Sequence, residues 1–209
     1  VYESGAVVLA LEEDPHEPPA RPFHVEALPE EAAREAVRLA RRLALPLEGY
    51  TADGGFFVEG DSPLLEAHQR LLGVEAEGAD LLRLSSPLVR LQVLAEGEAP
   101  VERLLEALPR GLQAHVAESP KMPGVRFVSL TKEGVSKLSA ARLVAEAYGL
   151  PLSECAMVGG GENDLELLRA VGVGIAMGNA PPSVKRAAQR VVAPVEACGL
   201  AEALRLLRG

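Results

Sequence analysis

The chain reads as an α/β protein in two parts, a parallel-sheet body and an α+β module with an antiparallel sheet. Three observations predict this. Past Pro120, short apolar runs alternate with stretches of helical periodicity, the pattern of successive βα units. Earlier, amphipathic helices at 29–45 and 100–108 are separated by Gly/Asp turns and by alternating stretches such as Val89-Arg90-Leu91-Gln92-Val93-Leu94. Proline-marked changes of style fall near Pro18–Pro22 and near Ser119–Pro123. The expected boundaries follow from these: residues 1–18 and 119–209 form the body, and residues 19–118 form a module inserted into it.

Within the body each element has its own cause. Val125–Leu130 reads as a strand. Residues 136–148 place Leu138, Ala141, Val144, Ala145 and Tyr148 on one helical face, and Gly149 with Pro151 stops that helix. Cys155–Val158 is a short buried strand. Gly159-Gly160-Gly161 then turns the chain, and Asp164 opens a helix through Leu165, Leu167, Leu168 and Val171. Val173–Met177 is the next strand. Pro181 and Pro182 stand where a helix starts, and Val184, Ala187 and Ala188 continue it. Val191-Val192 and a helix at 200–208 complete the series.

Composition excludes several function classes. The net charge of −9, from 30 acidic against 21 basic residues, argues against a nucleic-acid partner, because phosphate neutralisation along a duplex needs a basic face. A small anionic substrate remains compatible with it. No apolar run reaches the roughly 18 to 20 residues that span a bilayer, so a membrane partner is not expected. Cys155 and Cys198 lack metal-ligand spacing, and without a secretory leader a reducing cytoplasm is the expected location. The usage of 17 Arg to 4 Lys with two Asn fits a thermophile's avoidance of thermolabile amides. Nothing in the chain fixes an oligomeric state.

The chemistry gathers around the glycine loop. In an open parallel sheet, ligands bind beyond the carboxyl ends of the strands, where Gly159-Gly160-Gly161 falls. A dinucleotide fingerprint would need a glycine where Asp164 stands, and a P-loop would end in Gly-Lys-Ser/Thr, so neither nucleotide motif fits. The plain alternative is a tight turn capped by Asn163 or Asp164. Lys137 shifts the balance toward a site. It opens the helix in "TKEGVSKLSAARL", where a cation opposes the positive helix end unless an anion lies nearby. Both asparagines of the chain, Asn163 and Asn179, cluster near the same loop.

"GVSK" at 134–137, "GGGENDLELL" at 159–168 and "GIAMGNAPPSVKRAA" at 174–188 together resemble the haloacid-dehalogenase-like phosphatases of the Cof type. The likeness is concentrated at 125–193. It extends more weakly to "YESGAVV" at 2–8 and to the 19–118 module, which resembles the family's α/β cap. It implies a three-layer Rossmann-like core with an inserted α+β cap, and magnesium-dependent hydrolysis of a small phosphate monoester such as a sugar phosphate. By the same resemblance Lys137 orients the phosphate, Asn163 contacts it, and Asp164 serves the Mg2+ site; Asn179, close to that loop in sequence, is expected to bind the phosphate as well.

Two departures qualify that expectation. The family's Asp-x-Asp-Gly-Thr nucleophile segment has no match among Asp14, Asp53, Asp61, Asp80 and Asp164, so the N-terminal strand that carries it is expected to be missing. The nearest string, Thr51-Ala52-Asp53-Gly54-Gly55, reads as a turn. Gly160 stands where the family has a metal-binding aspartate. The chain is therefore expected either to be an inactive truncated copy of a phosphatase or to be a degenerate relative that binds phosphorylated ligands without turnover. His16, His24, His68 and His115 read as packing or surface residues, Ser153 and Ser183 as helix-start residues, and Glu162 as a solvated first-turn acid.

Overall fold

The computed structural model describes residues 3–9 and 22–208, so Asp14, His16 and the prolines at 18 and 19 lie outside the described residues. It divides into two compact units between Val135 and Ser136. That division comes later than the expected one at residue 119, for a reason that lies in strand pairing.

The first unit opens with a hairpin of β1 (Val7–Leu9) and β2 (Pro22–Val25). Then follow α1 (Glu30–Arg42), β3 (Leu47–Thr51), β4 (Phe56–Glu59), α2 (Pro63–Leu72), β5 (Glu77–Gly78), β6 (Leu88–Glu96), α3 (Ala99–Glu106), β7 (Leu112–Ser119) and β8 (Met122–Lys132). A six-stranded sheet runs in the order β5-β4-β3-β6-β8-β7. The run at 125–130, expected to open the parallel series, is the middle of β8, antiparallel to both β6 and β7. Its apolar character reflects a central position in the sheet with both faces covered.

Alternation sorts this sheet into two faces. Leu47, Leu91, Val93, Val128 and Leu130 meet Ala36, Val37 and Ala40 of α1 and Val101 and Leu104 of α3. Helix α1 forms because its apolar residues recur at helical spacing, and burying Val37 and Leu39 contributes about 1.5–3 kcal/mol each. On the other face Leu65 of α2 packs with Leu94, Val125 and Phe127. Ser62 caps α2, Pro63 occupies its first turn, and Gly73 at φ 68° ends it in the left-handed conformation that glycine adopts without strain.

The same face holds a buried polar network. Glu48, fully buried, accepts hydrogen bonds from Tyr50 Oη, Gln92 Nε2 and His68 Nδ1, each at 2.7 Å. Three donors satisfy a carboxylate that would otherwise cost several kcal/mol to desolvate. Burial, and then the Glu48 charge, push the Tyr50 hydroxyl well above the ordinary tyrosine range.

The second unit carries α4 (Lys137–Ala147), β9 (Ala156–Gly159), α5 (Leu165–Ala170), β10 (Val173–Ala176), α6 (Pro182–Ala187), β11 (Arg190–Val191) and α7 (Gly199–Leu207). These match the expected elements to within one to three residues. The three strands pair in parallel, in the order β11-β10-β9. Leu168 of α5 and Val184 of α6 cover one face against Ala176, and Ala203 of α7 covers the other against Ile175. This is a three-layer α/β arrangement. One detail differs from expectation: Tyr148 stands 78% exposed just past α4, and the helix buries Ala140 alongside the expected Ala145. Among the described residues no helix is long and apolar enough to cross a membrane.

Candidate functional site

The parallel strands β9 and β10 end together, with Gly159 opposite Ala176 and Met177 N donating to Gly159 O at 2.9 Å. Beyond that edge the chain makes a turn at 160–161 and a 3-10 turn at Glu162–Asp164 before α5 begins. Asp164 folds back over the turn. Its Oδ2 accepts from the backbone N–H of Gly160 at 2.9 Å and of Gly161 at 3.0 Å, as a capping carboxylate does. Its Oδ1 accepts from Lys137 Nζ at 2.6 Å.

Lys137 reaches that point because it is the first residue of α4. Ser136 caps the helix, accepting from Ser139 N while Ser139 Oγ accepts from Ser136 N, and this fixes the direction in which the lysine leaves the backbone. The lysine side chain is 35% exposed and that of Asp164 8% exposed. The cation therefore faces solvent while its partner lies beneath. An ammonium has three donors, and Asp164 takes one.

The carboxyl of Asp164 is held below its ordinary range. Burial acts in the opposite direction and is the largest single influence, but the Lys137 hydrogen bond together with the Gly161 and Gly160 N–H groups outweighs it. The group stays ionised at neutral pH.

Two of the loop's glycines have different reasons to be there. A Cβ at Gly159 would stand 2.9 Å from Asp164 Cβ and Oδ2, so the bare backbone is what lets the carboxylate fold in. At Gly160 a Cβ would meet only Met177, at 3.7 and 3.8 Å, so this position would accept a side chain. The role of Gly159 was not read from the sequence, although three consecutive glycines followed by an aspartate carried the signal.

The other expected site residues are placed as follows. Asn163 lies exposed beside Asp164, its Oδ1 folded over Gly161. Asn179 Oδ1 accepts from Val195 N at 3.2 Å and so ties the turn after β10 to the segment before α7. Structure thus brings Lys137 and Asp164 into direct contact, sets Asn163 at the same turn, and engages the oxygen of Asn179 elsewhere. Glu162 is exposed and accepts from Ser183 Oγ at 3.1 Å. Asp53 lies in the β3–β4 turn, hydrogen-bonded by Thr51 Oγ1 and followed by Gly54 at φ 88°, which agrees with its reading as a turn residue. His68 is a packed residue on Glu48.

The residues present do not by themselves fit a magnesium ion. Among the described residues no group of three or more His, Cys, Asp or Glu side chains converges. Asp164 already accepts three hydrogen bonds, and Gly160 brings no carboxylate beside it. Magnesium takes near-octahedral oxygen ligation with at least one available carboxylate. What the arrangement does offer is a solvent-facing ammonium with two donors left open among the described residues, fixed by a buried anion at the carboxyl edge of a parallel sheet. That suits binding of an oxyanion.

Comparison with known proteins identifies the family and the fold. The family model described as haloacid dehalogenase-like hydrolase matches residues 20–204. A relative from Haemophilus influenzae is 27% identical over 198 residues, covering 95% of this chain and 71% of that protein. The HMP-PP phosphatase of Cronobacter sakazakii is 30% identical over 137 residues, covering 63% of this chain and 48% of that protein. Among solved structures, a haloalkanoate-superfamily phosphatase from Bacteroides thetaiotaomicron superposes with a TM-score of 0.74 at 26% identity, over 88% of this chain and 66% of that one. A subclass IIB sugar phosphatase of the superfamily shares the fold at a TM-score of 0.75 and 21% identity, over 89% of this chain and 69% of its own.

Proposed function

Since this chain belongs to the haloacid dehalogenase-like hydrolases, we propose that the Lys137–Asp164 edge is the phosphate end of a phosphatase-type site for a small phosphate monoester, such as a sugar phosphate. The observation that carries this reading is the 2.6 Å pair itself. It keeps a half-exposed ammonium in one place without neutralising all its donors, and phosphoryl recognition is largely a matter of such fixed positive charge. Asn163, exposed on the same turn, supplies an amide donor to a second phosphate oxygen. Asn179, whose oxygen is engaged by Val195, can offer only its NH2 group.

Hydrolysis in this reading is magnesium-dependent in kind, and the ion would need carboxylates beyond Asp164, which is already taken by Lys137 and two backbone N–H groups. Among the described residues two carboxylates that the chemistry would use have no counterpart: Gly160 lacks a side chain, and Asp164 is the one aspartate in the turn that follows a parallel strand. The 209 residues alone are therefore expected to bind phosphate esters without turning them over. Gly160 also favours a second reading, a degenerate relative whose task is binding phosphorylated ligands.

The test is equilibrium binding of a sugar phosphate alongside turnover of p-nitrophenyl phosphate with and without Mg2+. Saturable binding that is lost in Lys137→Ala, with no turnover, supports the proposal. Turnover by the wild-type chain would refute the binding-only part, and binding that survives Lys137→Ala would refute the site.

A further inference from the structure

A cavity lies within the first unit, between the N-terminal half of α1 and the segment that leads into β6. Its volume is 290 Å3, and Leu28, Val37, Leu81 and Leu88 form apolar walls. That is about twice the ~150 Å3 apolar cavity that takes up benzene. Arg34 and Ser86 also line it.

Arg34 is the unusual member. It sits half-buried on α1, and Nη1 donates to Leu82 O at 3.1 Å, which holds the guanidinium at the cavity wall. Arg38 and Arg41 on the same helix are ion-paired, Arg38 with Glu31 and Arg41 with Glu59 and Asp80. Among the described residues Arg34 has no carboxylate within ion-pair distance. A guanidinium carries five N–H donors, and the Leu82 carbonyl takes one. An unpaired cation beside a hollow of this size, open to solvent and part polar but with leucine and valine walls, is complementary to a molecule with an apolar body and one negative end. Glu30 on the same lining limits the local positive charge, which disfavours a doubly charged phosphate and leaves a single carboxylate as the better match.

We propose that the Arg34 cavity is a binding site for a small apolar monocarboxylate with an aromatic or branched body, separate from the Lys137–Asp164 edge. Its carboxylate pairs with the free donors of Arg34, and its body fills the space between Val37, Leu81 and Leu88. This site does not depend on the phosphatase reading, since none of its residues belongs to that edge.

The experiment is a titration of the 15N-labelled full chain with 3-phenylpropionate and, separately, with 3-phenylpropanol, read from backbone amide shifts. The acid is expected to shift the Arg34, Leu82 and Ser86 amides saturably, and the uncharged alcohol to bind at least about tenfold more weakly. Arg34→Met should bring the acid down to the level of the alcohol. Arg34→Lys should recover part of the difference, and Ser86→Phe should block both ligands. Equal binding of acid and alcohol, an unchanged acid affinity in Arg34→Met, or no saturable shift with either ligand would overturn the proposal. Should Arg34→Met fail to fold, the acid-to-alcohol ratio of the wild type and the Ser86→Phe block decide it.

Discussion

Lys137 Nζ lies 2.6 Å from Asp164 Oδ1, although the two residues are 27 positions apart and sit on different elements, the first turn of α4 and the 3-10 turn before α5. Helix α4 begins, and strand β9 ends, at the same edge of the parallel sheet. The pair is asymmetric, with a buried anion and a half-exposed cation, and several expectations follow from that asymmetry.

Removing the cation strands a buried charge. Lys137→Met is expected to lower the unfolding free energy by about 1–3 kcal/mol, while Asp164→Asn, which keeps the shape but donates where it should accept, falls in the same range. The double variant should cost less than the sum of the two singles, because each alone leaves an unpaired partner. Urea denaturation of the four proteins measures this cycle.

Acid should weaken the same contact. The Asp164 carboxyl is held below its ordinary range, so it contributes stability that is fully present above the unfolded value of about 3.9 and is lost as pH falls through the lower, folded value. Unfolding free energies measured between pH 7 and pH 2 should fall more steeply for the wild type than for Asp164→Asn in the region below about pH 4.

The two adjacent glycines should answer differently to the same change. Gly159→Ala places a Cβ 2.9 Å from the Asp164 side chain and is expected to cost about 1–3 kcal/mol. Gly160→Ala meets Met177 at ordinary contact distance and should stay within about 0.5 kcal/mol of the wild type. Thermal unfolding of both variants separates a glycine needed for close approach from one that is not.

Because position 160 accepts a side chain, Gly160→Asp should fold and set a second carboxylate beside Asp164. Added Mg2+ at millimolar concentration is expected to raise the unfolding temperature of Gly160→Asp and to leave that of the wild type nearly unchanged, by mass action on the folded state alone. An equal response from both proteins would show that a metal binds without that carboxylate.

Within the first unit, Tyr50 should resist ionisation. Its hydroxyl is buried on Glu48, so in the folded protein it stays protonated where an unfolded tyrosine titrates near pH 10. The protonated hydroxyl contributes stability below that pH, and the contribution is lost as pH rises beyond it. Absorbance at the tyrosinate band should show one of the three tyrosines titrating only with unfolding.

The second unit was largely legible in the sequence, and the first less so, for a physical reason. From residue 137 onward the elements are short and sequential, so apolar periodicity and glycine or proline stops mark each one, and the residues meeting at the sheet edge are those the strand ends deliver. Lys137 could be singled out because a cation at a helix start is locally unfavourable, whereas Asp164 after its glycine turn is an ordinary helix-start residue that only the resemblance marked. Strand β8 is different. Its sequence marks it as a strand but says nothing about its partners, and pairing with β6 and β7 is decided by hydrogen bonds across the sheet. Glu48 was equally hidden. Its partners His68 and Gln92 lie 20 and 44 residues away, and nothing local distinguishes a buried glutamate in "PLEGYT" from a solvated one. Asn179 was selected for its proximity in sequence to the loop, and its oxygen is instead held by Val195.

The most direct test of the phosphate-binding reading is a titration of the 15N-labelled chain with inorganic phosphate at neutral pH, followed through the backbone amides. Saturable shifts at Lys137, Gly160, Gly161 and Asn163 that vanish in Lys137→Met, with Asp164 and the fold intact, are the predicted result. Shifts that persist unchanged in Lys137→Met, or a wild-type chain whose amides at this edge do not respond to phosphate, would contradict it.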